Sequence, residues 1–218
     1  MKQIRESQYF KVNCITTFLC LIPVIMGGIA YPYMPEMVAT HFDSAGIPNG
    51  YSSKIFGLIG LPLILVILQV FCCVITELDP RRQNAGVKMQ YLSRSIIPVV
   101  GIFAEASVIG YGLYGKFPVG PVINLLLGVI LVLFGNFMPK CKSNYTIGIK
   151  IPTTLADEEN WNKTHRLTGF VWSIAGLVII ACSFTKWYGI NILVLAVIIL
   201  FPIVYSVGLA SQKNRHKN

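Results

Sequence analysis

Ile55-Phe-Gly-Leu-Ile-Gly-Leu-Pro-Leu-Ile-Leu-Val-Ile-Leu-Gln-Val-Phe-Cys-Cys-Val-Ile75 runs for 21 residues without a charge. At about 1.5 Å per residue a helix of that length covers a hydrocarbon core of roughly 30 Å. Five more stretches read the same way: Val12–Ala30, Ile96–Tyr114, Val119–Phe137, Leu167–Phe184 and Gly189–Leu209. Each of the six has 18 to 21 residues, and Glu105 is the one charged residue among them. The expected fold is therefore all-α, a membrane bundle of six transmembrane helices. No polar stretch is long enough to bury a core of its own, so residues 1–218 read as one membrane domain.

The net charge of +9 would suggest nucleic acid on a soluble chain. Its distribution says otherwise. Lys2, Arg5 and Lys11 precede the first span. Arg81, Arg82, Lys88 and Arg94 separate the second from the third. Lys140, Lys142, Lys150, Lys163 and Arg166 separate the fourth from the fifth, and Lys213, Arg215 and Lys217 follow the sixth. Only Lys54, Lys116 and Lys186 fall in the alternate connections. Cationic short loops stay in the cytoplasm, which places both termini there and needs no direct nucleic-acid partner. The first span does not read as a cleaved leader, because Tyr31-Pro32-Tyr33 follows it where a small-x-small site belongs. Tyr31, Tyr33, Tyr51, Trp161, Trp187 and Tyr188 fall at span ends, as an aromatic belt does.

The longest outer connection, residues 31–54, carries Pro35 and Glu36, which suit a first helical turn. Met34, Met37, Val38 and His41 share a face at helical spacing. The pattern predicts a short interfacial helix over Pro35–Phe42, ended by Gly46, with a turn at Ile47–Gly50. A metal needs three or four ligands, and Glu36, His41 and Asp43 are too few here. No metal or cofactor is expected, and His41 is expected to orient the loop by hydrogen bonding. Pro35, Glu36, His41, Phe42, Asp43, Gly46, Gly50 and Tyr51 form the candidate outer recognition surface, unless the loop only seals the bundle.

The inner connection, Asn144–Gly169, opens extended and turns helical. Pro152 biases Ile151 away from helix. Thr154 with Asp157 three residues on resembles a capping box. Asp157, Glu158 and Glu159 suit the positive end of the helix dipole. Glu159 with Lys163, Trp161 with His165 and Asn162 with Arg166 are i,i+4 pairs. This helix is expected to lead into the fifth span, with Trp161 near the lipid interface. Candidate binding residues are Asn144, Gly148, Lys150, Pro152, Thr154, Leu155, Trp161, Lys163, His165 and Arg166.

Glu105 sits mid-span, where a charge costs roughly 3 kcal/mol on insertion scales. It should face the bundle interior, as a proton or ligand site or as an interhelical tether. Asn124, Asn191 and Tyr111 are its candidate partners, and Asn124 is the second intramembrane polar candidate. No nucleophile–base pair stands at a recognisable spacing and no Gly-rich phosphate loop is present, so the chain does not read as an enzyme.

Two segments resemble a bacterial family. Met34-Pro-Glu-Met-Val-Ala-Thr-His-Phe-Asp-Ser-Ala-Gly46 with Gly50-Tyr-Ser-Ser-Lys54 is similar to the N-terminal module of the SdpI-type immunity proteins, here within residues 12–75. Ile147-Gly-Ile-Lys-Ile-Pro-Thr-Thr-Leu155 with Trp161-x-Lys163-Thr-His-Arg-x-x-Gly169 resembles their C-terminal module, here within 119–209. Lys150-Ile-Pro-Thr153 stands where the family has Arg-Thr-Pro-Trp, and Asn49 where an acidic residue is common. The resemblance implies a cell-membrane immunity protein that protects its producer against a secreted peptide toxin. Two alternatives stand beside it, the first of them also implied by the resemblance. One is a receptor that sequesters a DNA-binding repressor at the cytoplasmic face. The other, raised by Glu105 rather than by the family, is a transporter or proton-coupled protein. The expected partners are membrane lipid, a secreted peptide toxin outside and a repressor inside.

Overall fold

The structure is a computed structural model that describes residues 8–185, 187 and 189–215. Lys2, Arg5, Lys186, Tyr188 and Lys217 lie outside the described residues. Among the described residues, six helices are long and apolar enough to cross a membrane. Their outer faces stay apolar and open, with Phe18, Ile67 and Phe184 each more than two-thirds exposed. Such faces belong against lipid. The chain is a multi-pass membrane protein.

The first span is two helices, α1 (Phe10–Leu19) and α2 (Leu21–Ala30), interrupted at Cys20. Pro23 has no amide to offer the Leu19 carbonyl. Thr16 also bonds back to the Val12 carbonyl at 2.9 Å, which bends a helix. A 3₁₀ turn, Tyr31–Tyr33, leads to β1 (Met37–Phe42) and β2 (Pro48–Ser53), an antiparallel hairpin. The second span opens with a π-helical turn, Phe56–Gly60, before α3 (Leu61–Leu78). Pro62 explains that turn, since it cannot donate to the Leu58 carbonyl. A 3₁₀ turn at Arg82–Ala85 precedes α4 (Val87–Tyr114), and α5 (Val119–Phe137) follows. After the Met138–Lys140 turn come α6 (Pro152–Ala156), α7 (Glu158–Thr185) and α8 (Ile190–Arg215).

The predicted interfacial helix over Pro35–Phe42 is not formed. That segment is β1, and Pro48–Gly50, expected as a turn, is the start of β2. The reversal lies earlier, where the Asp43 amide bonds the Ile47 carbonyl at 2.9 Å and the Gly46 amide bonds Asp43 at 2.9 Å. A helix this short gains few internal bonds. A strand of the same length pairs with Tyr51-Ser-Ser, and β-branched Val38 and Thr40 favour it. The register slips around Thr40, between Ala39 and His41.

The chain divides into two compact units. The first comprises Met1–Val74, Arg94–Leu126 and Cys182–Tyr188; the second comprises Ile75–Ser93, Leu127–Ala181 and Gly189–Asn218. In the first, Ala30, Met34, Val38, Leu58 and Val108 form a buried cluster that seats the hairpin on the helices. The same unit holds a buried polar chain. Gln69 Nε2 donates to Thr16 Oγ1 at 2.9 Å and to the Arg94 carbonyl at 3.0 Å. Arg94 Nε donates to Asn13 Oδ1 at 2.6 Å. Arg94 was expected in a connection. It is instead a helical residue of α4 that is 3% exposed, with its guanidinium 4.7 Å from the Tyr9 ring.

In the second unit, α5 and α7 cross antiparallel on glycines. A Cβ placed on Gly128 would meet the Gly176 carbonyl, and one on Gly135 the Gly169 carbonyl. Backbones approach this closely only where neither residue has a side chain. Leu131, Ala175, Ile179 and Ile198 fill the core, and Trp172 Nε1 donates to the Ile198 carbonyl of α8 at 3.0 Å.

Candidate functional site

The first unit holds a cavity of about 250 Å³ between the hairpin and the ends of α4 and α5. Thr40 through Ser44 form one wall in unbroken sequence. Ala104, Ser107 and Val108 form the second, and Val119, Gly120, Ile123 and Asn124 the third. The loop that closes it is fixed from within. Asp43 Oδ1 accepts the amides of Ala45 and Ile47, both at 2.9 Å. Gly46 takes φ +83° and lies against the backbone of Gly120, so a side chain is excluded twice over. Asn124 Nδ2 reaches across to the Ser44 carbonyl at 3.4 Å and to Gly120 at 2.7 Å.

The other outer candidates serve the same frame. Glu36 bonds Lys54 at 2.8 Å, which raises the Lys54 ammonium above its ordinary value. His41 Nδ1 pairs with Asn49 Oδ1 across the hairpin, and Gly50 leaves room for His41 Cβ. Phe42 meets Tyr111 edge to face at 5.6 Å, and Pro35 lies near Gly112. Tyr51 is exposed. His41 and Asp43 face solvent at the rim, while the walls are mainly apolar.

Glu105 is 4% exposed, beside Gly27 and the Leu58 carbonyl. Its Oε1 has no hydrogen-bond partner. Two expected tethers within this unit are not made: Asn124 bonds Ser44 and Gly120, and Tyr111 packs on Phe42.

In the second unit the connection after α5 wraps Trp161. That indole is fully buried, donates to the Cys141 carbonyl at 2.7 Å and stacks on His165 at 3.9 Å. It is core rather than part of a lipid belt. The Ile149 amide donates to His165 Nε2 at 3.0 Å, so Nε2 carries no proton and Nδ1 donates to the Trp161 carbonyl at 2.8 Å. Gly148, at φ +119°, lies flat against both rings. Asn144 Oδ1 gathers the amides of Thr146 and Ile147 at 3.0 and 2.7 Å. Burial pushes the Cys141 thiol up to about 11. The predicted extended entry is extended at Ile151, ahead of Pro152, but bends over residues 145–148.

Asp79 went unnoticed in the sequence. Its carboxylate accepts from the Tyr145 amide at 2.9 Å and the Thr146 hydroxyl at 2.8 Å. Thr154 belongs to α6, where it bonds the Ile151 amide and the Ile149 carbonyl, and Pro152 opens that helix. The cap of α7 is Asp157, which accepts the Glu159 amide at 3.0 Å, so the proposed Thr154 capping box is corrected by one helix. Lys150, Pro152, Leu155, Lys163 and Arg166 are the exposed members of the inner set, and Lys163 bonds Glu159 at 2.8 Å.

Lys213 of α8 bonds Asp157 at 2.7 Å and holds its carboxyl below the ordinary value of 3.8. A depressed carboxyl stabilises the fold above its unfolded value and stops doing so as pH falls through the folded one. The melting-point gap between the native chain and Asp157→Asn should therefore be full at neutral pH and close in acid. A gap independent of pH in a thermal scan would refute the pairing.

The SdpI/YfhL protein family matches residues 140–206, the segment that builds the Trp161 core and its helices. A domain of unknown function (DUF1648) matches residues 18–66, which hold α2, the hairpin and the π turn. Residues 140–206 are thus similar to the SdpI/YfhL family. Over 196 residues it is 24% identical to a protein named Immunity protein SdpI from Bacillus subtilis (strain 168). That alignment spans 90% of this chain and 92% of the relative. No solved structure matches. The family match explains why Ile147–Leu155 and Trp161–Gly169 read as one motif: they are the two halves of a single packed core.

Proposed function

We propose that this chain is a membrane immunity protein, not an enzyme, that protects a bacterium against a secreted antimicrobial peptide. The likeness to Immunity protein SdpI along nine-tenths of the chain carries this reading. Both termini lie in the cytoplasm and the hairpin faces outward, as the placement of the cations favours. Residues 12–75 form the N-terminal module and 119–209 the C-terminal one.

The hairpin cavity is the place where the peptide, or its membrane-inserted form, is met. Its apolar walls suit an apolar side chain, and the rim of His41 and Asp43 supplies polar contacts. Pro35, Glu36, Gly46 and Gly50 hold the shape of that surface, while Phe42 and Tyr51 offer aromatic area. No comparison favours repressor capture or proton-coupled transport.

Expression in a sensitive bacterium should raise survival severalfold when the culture meets secreted peptides encoded beside this gene. Absence of protection against all of them would overturn the function. Asp43→Ala releases two loop amides and should abolish most protection while membrane abundance stays the same. Full protection by that variant would move the contact away from the hairpin and leave immunity standing.

A further inference from the structure

The Arg82–Ala85 turn closes a second pocket, of about 200 Å³, against the end of α5 in the second unit. Its floor is apolar, made by Ala85, Met89 and Phe137. Ala85 and Met89 belong to the buried core that also holds Met138. Its rim carries two exposed cations, Lys88 and Lys140. The pocket is built by backbone. The Lys142 amide donates to the Asn84 carbonyl at 2.8 Å, and Asn84 Nδ2 donates to the Ser143 carbonyl at 2.7 Å. Gly86 turns the chain at φ +76°.

The neighbouring acids are already engaged. Glu77 lies 3.7 Å from Arg82, and Asp79 accepts from Arg81, Tyr145 and Thr146. No ion pair among the described residues uses Lys88 or Lys140. Phe137 is the last residue of a membrane-spanning helix, so the rim stands at headgroup depth. Two ammonium groups without an ion pair, Lys88 lying 5.9 Å from the Phe137 ring centroid, over an apolar floor at that depth match one ligand chemistry: a phosphodiester joined to a hydrocarbon tail.

We infer that this pocket binds an anionic phospholipid, with the phosphate between Lys88 and Lys140 and the glycerol end against Phe137 and Met89. An acidic protein segment fits less well, because the floor offers it no polar partner.

The test uses the full chain purified in detergent and titrated with phosphatidylglycerol or phosphatidylcholine, with bound lipid counted by native mass spectrometry. Phosphatidylglycerol should be retained preferentially. Lys88→Gln with Lys140→Gln should weaken its retention roughly fivefold for each lysine removed. Lys150→Gln with Lys163→Gln should leave it unchanged. Equal retention of the two lipids, no loss in the first double variant, or equal loss in both would overturn the site. Displacement of phosphatidylglycerol by an equimolar soluble polyglutamate would overturn it as well, in favour of an acidic protein partner.

Discussion

Trp161→Ala is expected to remove most of the folded protein. The indole is fully buried and stacked on His165. Truncating a buried Trp to Ala costs roughly 3–5 kcal/mol. The Cys141 carbonyl also loses its donor, which adds about 1–3 kcal/mol when the acceptor stays buried. Whole domains are stable by only about 5–15 kcal/mol. The variant should fail to accumulate in membranes, or should melt far below the native chain in detergent. Trp161→Phe keeps an aromatic ring but loses the N–H and part of the indole's buried volume, so it should fall between the two. A Trp161→Ala protein that melts like the native one would mean that the Ile147–Leu155 segment does not close over this ring.

Gly135→Val is the second large effect. A Cβ at that position would lie 2.4 Å from Ser173 Oγ, 2.5 Å from the Gly169 carbonyl and 2.7 Å from the Ser173 amide. Two of the three are backbone atoms, which no rotamer change moves aside. The helices α5 and α7 must separate, and overpacking of this kind costs roughly 1–3 kcal/mol or more. Gly28→Val supplies the control. It is also a glycine in a membrane helix, but nothing lies within 4 Å of its added carbon. Abundance and melting temperature should drop sharply for Gly135→Val and little for Gly28→Val. Similar behaviour of the two would count against the glycine crossing.

The spans were legible because hydropathy over about 20 residues is a one-dimensional signal. Residues 119–137 coincide with α5 end to end. Interruptions inside spans were not legible, though Pro23 and Pro62 mark them, because prolines in membrane helices are common and only some change the helix. The hairpin was missed for a different reason. Met34, Met37, Val38 and His41 satisfy a helical spacing, and the partner strand that decides the matter lies eleven residues away. Gly50-Tyr-Ser-Ser was the available signal. In the inner segment the residue pairs were readable, but their roles were not. Spacing paired Trp161 with His165, yet only packing shows that these rings, with Asn144 and Thr154, are buried framework. Asp79 left no trace, since its partners are sixty-odd positions downstream.

The bonds from Asp79 and Asn84 to residues 142–146 join two connections that the chain itself separates by two membrane crossings. A protein cut once between these two connections keeps its pieces clasped by those bonds. The gene should therefore tolerate being split in the α4–α5 turn, near Lys116, and expressed as two polypeptides that find each other in the bilayer. A reporter domain inserted at Asn144, by contrast, would prise the clasp open.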